Sequence, residues 1–240
     1  MHVTRYSLIS DKLNKRYVIA LAADVHGKEQ NLLFKELKAL KPDIIAVAGD
    51  IEGIGDTERR KSYIERFIKE CSAVAPVFVS LGNHDVNVRE SFPYESGAIL
   101  LDNNYVLYDG ITIGGLTSGS LGIKHCRTEK TPEPDIAFIG SFSRLSGYKV
   151  LLSHHPEYYP RFLKNRDIDI ILSGHAHGGQ WRFFGRGVFA PGQGLFPKYT
   201  SGIHDGKLIV SRGLADHNGI PRIFNPYELC IIEIVPGGAK

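Results

Sequence analysis

Five apolar runs in this chain each end in side chains that bind cations. Asp24 and His26 follow Tyr17 to Ala23, and Asp50 follows Ile44 to Ala48 and Gly49. Gly82-Asn83-His84-Asp85 follows Val77 to Leu81, His154 follows Val150 to Ser153, and His175 and His177 follow Ile168 to Gly174. A cation site assembled at the carboxyl edge of a sheet has this layout, because strand ends far apart in sequence converge there. Two divalent ions about 3.5 to 4 Å apart need a shared carboxylate to screen their repulsion, plus imidazole, amide or carboxylate ligands of their own. The set contains all of these.

Taken singly the patches differ in weight. In Asp24-Val25-His26 the outer residues lie two apart, so on an extended segment both point to one face and can chelate one ion. An exposed loop histidine is, however, usually just solvated. Asp50 alone reads equally well as a turn residue or a helix N-cap. Gly82 allows a tight turn that presents Asn83, His84 and Asp85 together, although Asn83 is also a turn former. In Gly174-His175-Ala176-His177-Gly178-Gly179, two histidines between glycines are a costly choice for a loop that binds nothing.

The elements that position these residues can be read from periodicity. Tyr17 to Ala22, Ile44 to Ala48 and Val77 to Leu81 are predicted strands. Glu29 to Leu40, stopped by Pro42, and Thr57 to Cys71 are predicted helices. Strand and helix in alternation predict parallel pairing through crossovers. Tyr105 to Tyr108 and Ile111 to Leu116 read as a hairpin around Asp109-Gly110, inside an irregular stretch from Tyr94 to Pro134. Lys149 to Leu152, a helical stretch near Tyr158 to Lys164, and Ile168 to Leu172 repeat the first design. Beyond His177 the helices stop; Trp181 to Phe184, Ile203 to Ser211 with a turn at Asp205-Gly206, and Leu229 to Ile234 are predicted strands of a second sheet packed on the first.

A chain of 240 residues can bury a full core as one domain, 1–240. Its formal charge of +3 comes without a dense Lys/Arg block, so stable nucleic-acid binding is not expected. Cys71, Cys126 and Cys230 are widely spaced and odd in number, and read as reduced thiols acting as small apolar residues. Met1 to Arg16 is polar and the first apolar run is too short to span a bilayer. These features place the protein in the cytoplasm, with no transmembrane segment and peripheral membrane contact left open.

In this order, the motifs Asp24-x-His26, Gly49-Asp50, Gly82-Asn83-His84-Asp85, His154 and Gly174-His175-x-His177 resemble the calcineurin-like metallophosphoesterase family. The resemblance implies a four-layer α/β/β/α sandwich of two mixed sheets flanked by helices, and two divalent metal ions: Mn, or else Fe, Zn, Co or Ni. It implies Asp24, His26 and His177 on the first metal, Asn83, His154 and His175 on the second, and Asp50 bridging them. His154 takes that place over His155 because it directly follows the strand; His155 is left to face the substrate or cap the turn. A hydroxide between the ions would attack phosphorus, and His84, off the metals, would protonate the leaving oxygen. Many relatives carry an acid three residues after the bridging Asp, where this chain has Gly53, so either Asp85 or Glu52 substitutes in orienting His84, or the proton donor is less well tuned.

Gly178-Gly179-Gln180, Phe189 to Gly192 and Val210 to Leu214 resemble a branch that includes exported or membrane-associated phosphoesterases and UDP-2,3-diacylglucosamine hydrolases. Trp181, Phe183, Phe184, Phe189 and Phe196 then read either as an apolar groove for a lipid or nucleotide or as core. Arg212 reads as a phosphate contact or an ordinary ion pair, and His217 as a residue that could line the cleft; His2, His125 and His204 default to surface or packing. The expected substrate is a small-molecule, nucleotide or lipid-linked phosphate mono- or diester or pyrophosphate. A nuclease of the same superfamily and a non-catalytic metal-binding scaffold are the alternatives.

Overall fold

The computed structural model describes residues 1–53, 56–123, 131–216 and 221–238; His125, Cys126 and His217 lie outside them. The chain begins with strand β1 (His2–Ser10) and continues through β2 (Tyr17–Ala22), helix α1 (Asn31–Leu40), β3 (Ile44–Ala48), α2 (Thr57–Ser72) and β4 (Val77–Ser80). A short α3 (Val86–Glu90), β5 (Ile99–Leu100), the hairpin β6 (Asn104–Tyr108) and β7 (Ile111–Leu116), and α4 (Ile136–Ser143) follow. Next come β8 (Tyr148–Ser153), a π-helical turn at Tyr159–Leu163, and β9 (Ile170–Ser173). Two small hairpins, β10 (Arg182–Phe183) with β11 (Arg186–Gly187) and β12 (Phe189–Ala190) with β13 (Gly194–Leu195), precede β14 (Gly202–His204), β15 (Leu208–Val210) and β16 (Glu228–Pro236).

Two six-stranded mixed sheets result, in the orders β1-β16-β2-β3-β4-β5 and β14-β15-β9-β8-β7-β6. The period of two along each strand sorts side chains into layers. On β2, Val18, Ala20 and Ala22 face Leu33, Leu37, Ile64 and Phe67 of α1 and α2. The intervening Ile19 and Leu21 face the second sheet, where Ile113, Val150, Leu152 and Leu172 meet them. The far side of the second sheet is covered by Phe138, Ile139 and Phe142 of α4 and by Tyr159 and Leu163. This is the expected α/β/β/α order, and β2, β3 and β4 pair in parallel as the crossovers require.

The structure corrects three expectations. The polar N-terminus contains β1, an edge strand parallel to β16 whose exposed and half-buried residues alternate, so no continuous apolar run marks it. The strand over Leu229 to Ile234 belongs to the first sheet, antiparallel to β2, and not to the second. Trp181 to Phe184 joins neither sheet but folds into the β10–β11 hairpin. Cys71 and Cys230 are buried free thiols. Among the described residues no helix is long and apolar enough to cross a membrane.

Candidate metal centre

β2, β3 and β4 of one sheet and β8 and β9 of the other all point their carboxyl ends to one place, and every strand-end residue singled out above arrives there. Within 4.8 Å of one another lie ligand atoms of Asp24, His26 and His177, of His26, Asp50 and His84, and of Asp50, His154 and His175. Asp50 sits between the groups: its Oδ2 is 3.2 Å from His154 Nε2, 3.8 Å from His26 Nε2 and 4.0 Å from His84 Nε2. His26 Nε2 and His177 Nε2 face each other at 3.3 Å with their rings stacked.

The local backbone is bent to achieve this. Asp24, His26, Asp50, His175 and His177 all have φ between 45° and 64°, a left-handed conformation uncommon for residues with a side chain. Strain of roughly 1 kcal/mol or more per residue persists only where surrounding structure over-determines it, and it concentrates at functional sites. Gly49 is needed beside this turn, since a Cβ there would lie 2.6 Å from the amide nitrogen of Gly82. The strand-end spacing was legible in the sequence; the strain was not.

Hydrogen bonds behind the site fix which ring atoms face it. His154 Nδ1 lies 2.8 Å from the Ala48 carbonyl oxygen, which only accepts, so Nδ1 keeps its proton and Nε2 is the ring nitrogen turned to the site, 3.2 Å from Asp50 Oδ2. The Asn83 side-chain oxygen is buried and has no hydrogen-bond partner among the described residues. A buried acceptor left in this way, with its neighbours Gly82 and His84 against Asp50, suits a cation, which would take it up and replace the proton held between His154 and Asp50. The residues present therefore fit divalent metal ions, with Asp24, His26, Asp50, Asn83, His154, His175 and His177 as the available donors.

The electrostatics agree. Burial pushes the Asp24 carboxyl up to about 7, with His154 opposing and Asp50 reinforcing the rise. For Asp50 burial also works upward, but His154, His84 and His26 overcome it and hold the group well below its ordinary value. His154 is pushed down by burial yet raised to about 10 by Asp50 and Asp24. Burial, then its histidine neighbours, keeps His175 well below the usual histidine value, so its ring is neutral and can donate a lone pair. Closely packed groups forced to divide so few protons are characteristic of functional clefts.

His84 is the most exposed of these histidines, with 18% of its side chain accessible, and its backbone N–H donates to Asp50 Oδ1 at 3.0 Å. The acids expected to orient its ring are spent elsewhere. Asp85 is fully buried, and its carboxylate accepts from the backbone N–H groups of Asp50 (2.6 Å), Ile51 (2.9 Å), Glu52 (3.0 Å) and Gly82 (2.9 Å), clamping two ligand loops together. Glu52 accepts from Arg60 and from both nitrogens of Asn87. The expectation of a catalytic Asp85 is thus corrected to one of loop positioning.

Two substrate contacts are corrected as well. His155 is buried, with Nε2 2.7 Å from Ser118 Oγ and Nδ1 3.1 Å from Glu157 Oε1, so neither nitrogen faces the cleft. Arg212 turns inward and donates to Glu228 Oε1 at 2.9 Å. Sequence reasoning missed Glu157, which lies 3.9 Å from His175 Nε2 and forms a further close group with His155 and His175. It also missed Arg222, whose guanidinium donates to the Ala215 carbonyl and comes within 3.4 Å of His177 Nδ1. Glu157 directly follows His154-His155-Pro156 and could have been found by proximity; Arg222 reaches the site only through the tertiary fold.

Several known proteins are similar to this chain. An uncharacterised Bacillus subtilis protein, YpbG, is 32% identical over 180 residues, covering 72% of this chain and 64% of its own. The UDP-2,3-diacylglucosamine pyrophosphatase LpxG of Chlamydia muridarum is 25% identical over 230 residues, 92% of this chain and 61% of its own, so the chain spans about three fifths of the length of these relatives. The solved structure of TT1561 from Thermus thermophilus superposes with a TM-score of 0.47 at 13% identity, over 66% of this chain and 81% of that one. The family model for calcineurin-like phosphoesterases matches residues 17–179, the span that holds every strand-end donor described above, and the chain belongs to that family.

Proposed function

We propose that this chain hydrolyses phosphate esters or a pyrophosphate bond with the help of two divalent ions. The observation that carries the reading is Asp50 within a ring of histidines, His26, His84, His154 and His175, together with the unpartnered buried Asn83 Oδ1. Asp24, His26 and His177 would hold one ion, Asn83, His154 and His175 the other, and Asp50 both; Mn suits this donor set, as do Fe, Zn, Co and Ni. Bound ions supply charge neutralisation at the phosphoryl oxygens and an activated water near neutral pH.

The chain's own residues supply the rest. Asp50 is held by its histidine neighbours as a carboxylate at neutral pH. His84, more exposed than the donor histidines and 4.0 Å from Asp50, would protonate the leaving oxygen, a contribution of typically 10²–10⁴-fold. Asp85 keeps the Asp50 and Gly82 loops in register. LpxG, a relative whose name records a pyrophosphatase of UDP-2,3-diacylglucosamine, favours a lipid-linked or nucleotide-linked substrate over nucleic acid.

The test is hydrolysis of p-nitrophenyl phosphate and bis-p-nitrophenyl phosphate by protein stripped and reloaded with Mn. Turnover that needs Mn and disappears in Asp50→Asn supports the reading, and the ratio of the two substrates separates monoesterase from diesterase. Two bound ions with turnover unchanged in His84→Ala would remove His84 from its role; absence of any bound ion would favour a scaffold.

A further inference from the structure

Beyond the metal centre the chain exposes an aromatic platform that the hydrolytic reading does not use. Phe184, at the tip of the β10–β11 hairpin, is 105% exposed, and Phe196 and Phe224 are each 78% exposed. All three hold φ near 50°, where glycine or asparagine is the usual occupant and a phenylalanine is strained. Backbone bonds tie together the three segments that carry them. Arg182 N donates to Ile223 O at 2.9 Å, Val188 N to Trp181 O at 2.9 Å, and Phe196 N to Val188 O at 2.8 Å, while the Phe183 and Phe224 rings lie 6.0 Å apart. Large apolar side chains exposed together on linked segments mark a site of interaction.

Charge identifies what it meets. From Gly178 to His204 the sequence contains no Asp or Glu, while Arg182, Arg186 and Lys198 are all cationic, and Arg186 and Lys198 are exposed among the phenylalanines. A second copy of the chain docked face to face would oppose these like charges. An anionic bilayer satisfies both features, since aromatic tips bury at the headgroup boundary while Lys and Arg are attracted to acidic lipids.

We infer that the two hairpins and the Ile223-Phe224 turn form a membrane-docking surface that seats the protein on anionic lipid. It adjoins the metal centre. Arg182 donates to the Gly178 carbonyl at 2.7 Å, and Asn225 Nδ2 to the His177 carbonyl at 2.7 Å, so docking sets the His177 side of the cleft at headgroup level. The inference stands apart from the hydrolytic reading, because its readout needs no turnover.

Trp181 is the chain's single tryptophan and lies within the platform, so its fluorescence reports contact directly. The full chain is titrated with phosphatidylcholine vesicles, with and without roughly one third phosphatidylglycerol, and with brominated phosphatidylcholine as a depth quencher. A blue shift and bromine quenching on the anionic vesicles, weakened by salt, are expected. Phe184→Ser with Phe196→Ser should weaken binding by about tenfold or more for each side chain removed, and Arg186→Glu with Lys198→Glu should abolish the preference for anionic lipid. Both double variants change exposed residues and should keep the circular dichroism of the parent. Absence of quenching, or equal binding by parent and variants, overturns the inference. So does a concentration-dependent dimer that the phenylalanine variant loses while vesicles leave Trp181 unaffected.

Discussion

Replacing Asp85 with Asn tests whether this carboxylate clamps the ligand loops or tunes His84. Oδ1 accepts from Ile51 and Glu52, and Oδ2 from Asp50 and Gly82. An Asn keeps one oxygen and turns an NH₂ group toward the other pair of donors, so two hydrogen bonds to a charged acceptor are lost, at about 1.5–3 kcal/mol each, or about 3–6 kcal/mol in all. One effect opposes this. Burial and the neighbouring Asp50 raise the Asp85 carboxyl to about 6 from 3.8, so removing its charge relieves a penalty of about 3 kcal/mol in metal-free protein.

The two largely offset in the metal-free state, where the loss should stay under about 3 kcal/mol, a fall in Tm of up to roughly 10 °C for a domain of this size. Bound cations would themselves compensate the carboxylates, so the relief disappears and the lost bonds are felt in full. Metal affinity, read by isothermal titration with Mn, should therefore fall by at least about tenfold while metal-free Tm changes modestly. Wild-type Mn affinity together with a displaced pH–rate profile would refute the clamp and return Asp85 to His84.

Three other perturbations discriminate between parts of the structure. His154→Ala removes the imidazole that faces Asp50 and should cost one of the two Mn equivalents, measured by inductively coupled plasma mass spectrometry; two retained equivalents would remove His154 from the donor set. Glu157→Gln weakens the group behind His155 and His175, and by the usual weight of such outer partners should lower Mn affinity about 10- to 100-fold without unfolding the protein; unchanged affinity would leave Glu157 a packing residue. At Glu228, burial works upward but hydrogen bonds from Thr4 and Arg212 outweigh it and lower the carboxyl below 4.5. A depressed carboxyl contributes stability that is full above about 4.5 and is lost as pH falls toward its folded value. Glu228→Gln should therefore lower the urea midpoint at pH 7 and flatten its decline below pH 4.5, and a decline as steep as wild type would contradict this.

Runs of Ile, Val, Leu and Ala ending in Asp, Asn or His, with helical periodicity between them, determined by themselves the parallel strands, α1, α2 and the set of strand-end candidates, because a buried strand and a strand-end ligand are both local patterns; the layer order and the division of the candidates between two ions followed only from the family resemblance of the motifs. What the partner of each donor is was decided only by the tertiary structure. Asp85 and Glu52 were equally plausible acids until folding set one under four backbone N–H groups and the other against Arg60 and Asn87. Arg212 could have faced phosphate, yet strand β16, arriving beside β2 from the far end of the chain, brought Glu228 to it. The edge strand β1 was invisible because its alternation is only half buried. Composition could not divide core from surface among the aromatics after His177; only the fold shows that the hairpins expose several of them. Local pattern encodes which groups a strand presents, while long-range pairing determines what each of them meets.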